Sequence, residues 1–439
     1  MTHTARSTRV YRRGILGITL AGATWRVVVL ISKWHAHLLL NDSLYYSLQA
    51  FNNARGKWFR EAGGADYSLW GRIPGAEHPP LTSIVIAPAS LLARPEFWER
   101  ATMTLIGICL IPLVALLARR IGGRRVALIA AALAAVYPNI WMSDSLIMSE
   151  TLLLLVVVLT LLAAVRHHDR FDLPSAVLLG VVIGVAGYTR SETLIYAPLF
   201  ALIGVRTYAW RRWATRGVVV LLATTVTVLP WIVYNSSRFN TTVLMSTNDG
   251  NTLLGANCPA TYGGQSLGGW VFACIEEPTT PVGENSAERS VRRRHEAISY
   301  ARAHESRIPL VVAARVLRAA DVYGLPDLVR GDQGEERPAW AIWAGIASWW
   351  LLAPLAAIGL WRTRRGLRYV LLVPVVGVIA VTVVFYGSHR LRAPLEPVVV
   401  IAAAMTIANS GPARRALDRV VTRVQGAPMA ATEPAVEPT

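Results

Sequence analysis

Lysine is almost absent from this sequence, with two residues against 42 arginines. Charge of every kind is scarce. It amounts to 16% of the 439 residues, where a soluble protein carries about a quarter. The shortage excludes an ordinary water-soluble domain. The arginine bias is the kind a GC-rich bacterial genome produces. Cysteine occurs three times, once in an apolar block (Cys109) and twice in one polar loop (Cys258 and Cys274). No internal repeat is visible, which speaks against a transporter built from duplicated halves.

What the sequence has instead is apolar residues, 53% of the total, in solid blocks such as 152–165 and 218–228 rather than amphipathic stripes. A bilayer selects blocks of this kind. They predict an all-α polytopic membrane protein of about ten transmembrane helices, near 14–32, 101–118, 126–142, 149–165, 175–189, 192–205, 217–235, 340–361, 369–386 and 394–409. Arg12-Arg13 before an apolar run imitates a signal peptide. The run continues to Ile31, so it reads as an uncleaved first helix. The block 81–93 is too short to span and reads as an interfacial helix on the outer side.

The formal charge of +17 raises nucleic acid as a partner, but position argues against it. Arginines cluster between apolar blocks: Arg119-Arg120 with Arg124-Arg125, Arg211-Arg212, Arg364-Arg365 and Arg414-Arg415. Short cationic clusters at alternate helix ends follow the positive-inside rule. With both termini cytoplasmic, the inner segments hold 22 arginines and five acidic residues, and the outer segments come to a net −1. The chain divides into a cytoplasmic 1–13, a transmembrane core over 14–235 with a first outer loop at 33–100, and an extracytoplasmic loop of about a hundred residues at 236–339. The last helices occupy 340–409, and a cytoplasmic tail over 410–439 is expected to be partly disordered. Cys258 and Cys274 fall in the outer loop, in an oxidising compartment, and are expected to pair.

Polar residues recur where the chain meets the outer surface. Asp42 follows the first helix and precedes Tyr45-Tyr46; as an isolated residue it caps a helix beginning at Leu44. Glu77-His78 stand before Pro79-Pro80, and the prolines hold them at a helix entrance. Asp144 and Glu150 flank a helix start, where the dipole favours an acid. Arg190 and Glu192 break an apolar stretch; they pair in a turn or face an internal cavity. The last outer turn carries His389, Arg390 and Arg392. Arginine forks suit phosphate, and an R-x-R spacing in an extended turn would point both side chains the same way. Snorkelling to headgroups is the competing account.

Several of these motifs together resemble the GT-C superfamily of membrane glycosyltransferases, in the branch of protein O-mannosyltransferases and lipid A aminoarabinose transferase (glycosyltransferase family 39-like). They are Asp42 with Tyr45-Tyr46, E-H-P-P-L at 77–81, the R-R-I-G-G-R-R loop at 119–125 and Y-P at 137–138 followed by an acid. G-x-x-x-G-x-A-x-x-T-R at 180–190 and R-L-R-A-P-L-E-P at 390–397 complete the set. The resemblance covers 10–235 well and leaves the S-T-N-D-G-N-T-L-L-G-A-N-C run of the large loop unmatched.

The resemblance implies a polyprenyl-phosphate-linked sugar donor and a glycan, lipid or protein acceptor, with transfer at the extracytoplasmic face of a bacterial cytoplasmic membrane. It implies Asp42 as general base, with inversion. Tyr45, Tyr46, Glu77, His78, Asp144, Glu150, Arg190, Glu192, His389, Arg390 and Arg392 are then candidates for substrate binding. It implies no certain cofactor and leaves a divalent metal open. Membrane lipids are expected partners and nucleic acid is not. A lipid-linked sugar flippase and a non-catalytic scaffold for cell-envelope assembly are the rival readings.

Overall fold

A computed structural model describes residues 3–62, 71–239, 241–276 and 283–410. The tail expected to be disordered lies outside the described residues. Those residues are almost wholly helical, and the only strand-like pairing among them is one antiparallel bridge between Arg60 and Pro74.

Seven helices among the described residues are long and apolar enough to cross a membrane. The chain is a multi-pass membrane protein. In chain order, α1 (His3–Ser32) leads into α2 (Asp42–Ala54), which is N-capped by the Asn41 side chain accepting from the Ser43 N–H. The block at 81–93 is α3 (Leu81–Ile86) followed by a 3-10 turn, Ala89–Leu91, far short of a span.

Helix α4 (Pro95–Val136) contains two of the expected helices, divided at Gly123. Its φ of 84° is a conformation that side chains resist, so glycine marks the break. Then come α5 (Pro138–Trp141), α6 (Ser149–Arg170) and α7 (Leu173–Gly187). The helix expected at 192–205 is instead a 3-10 turn, Ser191–Ile195, and the six-residue α8 (Tyr196–Ala201). Next is α9 (Trp210–Ser236). The large loop contains α10 (Asp249–Ala256), α11 (Ser286–Ala303), α12 (Ile308–Ala319) and α13 (Leu325–Gln333). The chain returns through α14 (Ala339–Arg362), α15 (Arg365–Val384), a 3-10 turn over His389–Leu395, and α16 (Glu396–Ala408).

Without water to drive apolar faces together, membrane helices associate through close backbone contact at small residues. That accounts for the G-x-x-x-G of the 180–190 run. A Cβ on Gly180 would lie 2.5 Å from the Val220 carbonyl oxygen, and one on Gly184 would lie 2.5 Å from Thr227 Cβ. These glycines seat α7 on α9. Large apolar side chains point outward instead, among them Leu351 on α14 at 72% exposure, as a lipid-facing surface requires.

Polar segments follow the C-terminal ends of α1, α7, α9 and α15 and precede the N-terminal ends of α4, α6, α14 and α16. The large loop is fastened there. The Gly387 N–H donates to the Gly268 carbonyl (2.8 Å) and Arg315 Nη1 to the Val383 carbonyl (2.8 Å). Within the loop, Arg293 bonds Asn251 and the Ile275 carbonyl, holding α10 against α11. Cys258 and Cys274 are joined, with Cα atoms 6.3 Å apart. Closing a loop of this length stabilises by about 3 kcal/mol in the chain-entropy account. Peptide mapping without reductant is expected to recover the two cysteines in one linked species. Finding both as free thiols would remove the bond and count against an oxidising compartment.

Candidate active site

Asp42 opens α2, where the helix dipole favours a carboxylate. Its Oδ2 accepts from Arg390 Nη2 at 2.6 Å, and its Oδ1 lies 3.5 Å from His78 Nε2. Burial by itself raises this carboxyl, but Arg390 first and His78 second outweigh it and hold Asp42 well below the ordinary carboxylate range. Burial likewise pulls His78 down, and Asp42 reverses the effect, leaving the imidazole above its usual value. The His78 ring packs against both Tyr45 and Tyr46, each centroid 5.0 Å away.

Asp42, Tyr46, His78, Arg190, Glu192 and Arg390 all line one cavity of about 260 Å³. Arg190 Nε donates to Glu192 at 2.5 Å, with Glu150 at 3.5 Å from its Nη1. Glu150, 2% exposed, accepts from Arg390 beneath the cavity. Arg390 donates also to Glu335, so three carboxylates surround one guanidinium. The large loop also lines the cavity, contributing Ser246, Asn248, Asp249 and Thr252. Hence the large loop adds hydroxyl and amide groups and one carboxylate, Asp249, to the cavity.

The same backbone arrangement recurs in solved structures. The oligosaccharyltransferase AglB from Archaeoglobus fulgidus, solved with an inhibitory peptide and a dolichol-phosphate, superposes with a TM-score of 0.56 at 14% identity. The match covers 97% of this chain and 53% of that one. ArnT from Cupriavidus metallidurans, solved bound to undecaprenyl phosphate, gives 0.52 at 15% identity, over 91% of this chain and 62% of that one. Residues 77–231 match the profile of the dolichyl-phosphate-mannose-protein mannosyltransferase family. The fold is that of the GT-C superfamily.

The chain spans about half the length of the oligosaccharyltransferase and under two thirds of ArnT. Comparison with the curated proteins gives no match. Asp42 and Arg390 lie on either side of the matched stretch, 77–231.

Other residues singled out from the sequence lie off the cavity. Asp144 is 1% exposed, accepting from Arg26 Nε (2.6 Å) and Thr151 (2.9 Å), and ties α1 to the start of α6. Tyr45 is buried, its hydroxyl bonded to Gln49 (3.4 Å), and Glu77 is half-buried beside it without lining the cavity.

Arg392 departs from the expectation that it would point with Arg390. Three residues per turn in a 3-10 helix place positions two apart on different sides. Arg392 is accordingly 2% exposed, donating to Glu396 (2.8 Å), forming an ion pair with Asp321 (2.8 Å) and lying 3.7 Å over Trp349. His389 turns inward as well, bridging Asp321 (2.9 Å) and Asp332 (2.6 Å). Only an imidazolium donates to two carboxylates. These contacts fix the turn that presents Arg390.

Sequence reasoning missed Glu335 and the wall at 246–252. The polar run S-T-N-D-G-N-T was visible, but nothing local tied it to Asp42. Among the described residues no group of three or more His, Cys, Asp or Glu side chains gathers to hold a metal ion. The chemistry proposed below uses none.

Proposed function

We propose that this chain transfers a sugar from a polyprenyl-phosphate donor to a hydroxyl of a glycan, lipid or protein acceptor, at the extracytoplasmic face of a bacterial cytoplasmic membrane. The observation that carries the reading is an ionised, cavity-facing Asp42 in contact with an arginine able to bind phosphate. The acceptor oxygen attacks the anomeric carbon as the bond from that carbon to the phosphate oxygen breaks. Asp42 takes the acceptor's proton, and polyprenyl phosphate leaves with its new negative charge facing Arg390 and Arg190. Phosphate leaves without a general acid, so one base suffices. Attack opposite the leaving group inverts the configuration. The hydroxyl, amide and carboxylate groups that line the cavity at 246–252 suit sugar hydroxyls. The lipid phosphates named for ArnT and AglB support a lipid-phosphate donor here.

Incubating the purified protein with radiolabelled polyprenyl-phosphate sugars and candidate acceptors tests the reading directly. No transfer from any of them would refute it. The orientation has its own test. Lys57→Cys in the first loop and Gln265→Cys in the large loop replace exposed residues. Both are expected to react with an impermeant maleimide from outside the cell, and Arg364→Cys only after lysis. The reverse pattern would invert the topology.

A further inference from the structure

Arg390 has no free edge. Its Nη2 serves Asp42 from α2, its Nε serves Glu150 from α6, and its Nη1 serves Glu335 from the segment between α13 and α14. One positive charge meets three carboxyl groups drawn from segments far apart in the chain, and burial pushes that of Glu335 up to about 7. A lipid phosphodiester approaching this guanidinium brings a further negative charge, and the carboxylates already present repel it.

The three carboxylates are unequal. Glu150 is 2% exposed, Glu335 19% and Asp42 33%. Asp42 is also the only one of the three that lines the cavity. It alone can withdraw from Arg390 into open space and keep a partner, because His78 stands on its other oxygen.

The geometry points to an exchange in which the donor's phosphate takes the place of Asp42 on Arg390, while Glu150 and Glu335 hold the guanidinium still, so that the base is released only when the donor is bound. This rests on the function proposed above and adds an order to it. In the empty site Asp42 is tied to a cation and is a poor proton acceptor. Displaced by phosphate, it loses the stronger of its two cationic partners, gains a negative neighbour, and becomes a better base. The groups left facing it are His78, Tyr46 and Tyr386. Glu335 is therefore a positioning residue. By occupying Nη1 it directs the phosphate to Nη2, the edge that Asp42 holds. Donor binding precedes activation of the acceptor, and an acceptor that enters first finds no working base.

Undecaprenyl phosphate in detergent is a sufficient probe, because the exchange involves only the phosphate. Its affinity is to be measured for the wild type, Asp42→Asn and Glu335→Gln by titration calorimetry, with melting curves to verify folding. Each variant removes a carboxylate from Arg390, but only the first weakens the group that must be displaced, since an amide at position 42 holds the guanidinium far less tightly than a carboxylate does. Asp42→Asn is expected to bind on the order of tenfold more tightly than wild type, about one pKa unit of interaction. Glu335→Gln is expected to gain less than about half of that in free-energy terms, and Glu335→Asp to return towards wild type. Equal gains in Asp42→Asn and Glu335→Gln would reduce the effect to simple repulsion and overturn the exchange. A loss of affinity in Asp42→Asn would overturn it too. If the wild type binds no undecaprenyl phosphate at all, the proposed function fails and the exchange fails with it. Binding without the difference between variants defeats the exchange alone.

Discussion

Asp42→Asn is expected to reduce sugar transfer by about 10²–10⁴-fold, the usual cost of losing a general base. The substitution keeps the size of the side chain, its place at the first turn of α2, and an oxygen that still accepts from Arg390 Nη2. It removes only the ability to take a proton. The variant should therefore insert, melt at nearly the wild-type temperature and bind lipid phosphate at least as well as wild type. Transfer from a lipid-linked sugar, measured alongside phosphate binding, separates these effects. Normal turnover in Asp42→Asn would remove Asp42 from the chemistry. Glu192 and Asp249 would then be the carboxylates to test, since they line the same cavity.

Arg390→Lys has the second large expected effect. The ammonium keeps the charge but cannot serve three carboxylates from a flat fork. Two charge-assisted hydrogen bonds are lost or weakened, each worth about 1.5–3 kcal/mol. Transfer is expected to fall by about a hundredfold or more, with weaker retention of lipid phosphate. Arg392→Lys makes the matching contrast. Arg392 is 2% exposed and held by Asp321, Glu396 and the Trp349 ring, so its replacement should lower thermal stability while leaving the affinity for lipid phosphate near wild type. Measuring melting temperature and phosphate affinity for both variants distinguishes an arginine at the cavity from one in the core. Equal losses of affinity in the two would mean that both guanidinium groups reach the phosphate.

The sequence by itself determined that the chain is an all-helical, multi-pass membrane protein and singled out most of the ionic residues of the cavity. A bilayer imposes long apolar runs, and where such a run breaks at Asp42, His78, Arg190, Glu192 or Arg390 the polar residue lies at a membrane edge whatever its partners are. Those five residues line one cavity. Tertiary structure alone decided which edge residues meet. Asp42 and Arg390 are 348 positions apart, and Arg390 and Glu335 are 55 apart. No periodicity records a pairing across such distances. Asp144 carried the same local signal as Asp42, an acid beside a helix end, yet a buried Arg26 on α1 claims it. Arg392 had the same chemistry as Arg390, and one tight turn of 3-10 helix sends it into the core. The residues at 246–252 are polar in any environment, and only the packing of α10 on α11 and the anchoring of the large loop bring them to the cavity that Asp42 lines. Burial of apolar runs is a local property that composition records. The partner of a charge depends on which helices lie side by side, and close contacts such as those of Gly180 and Gly184 are what fix that arrangement.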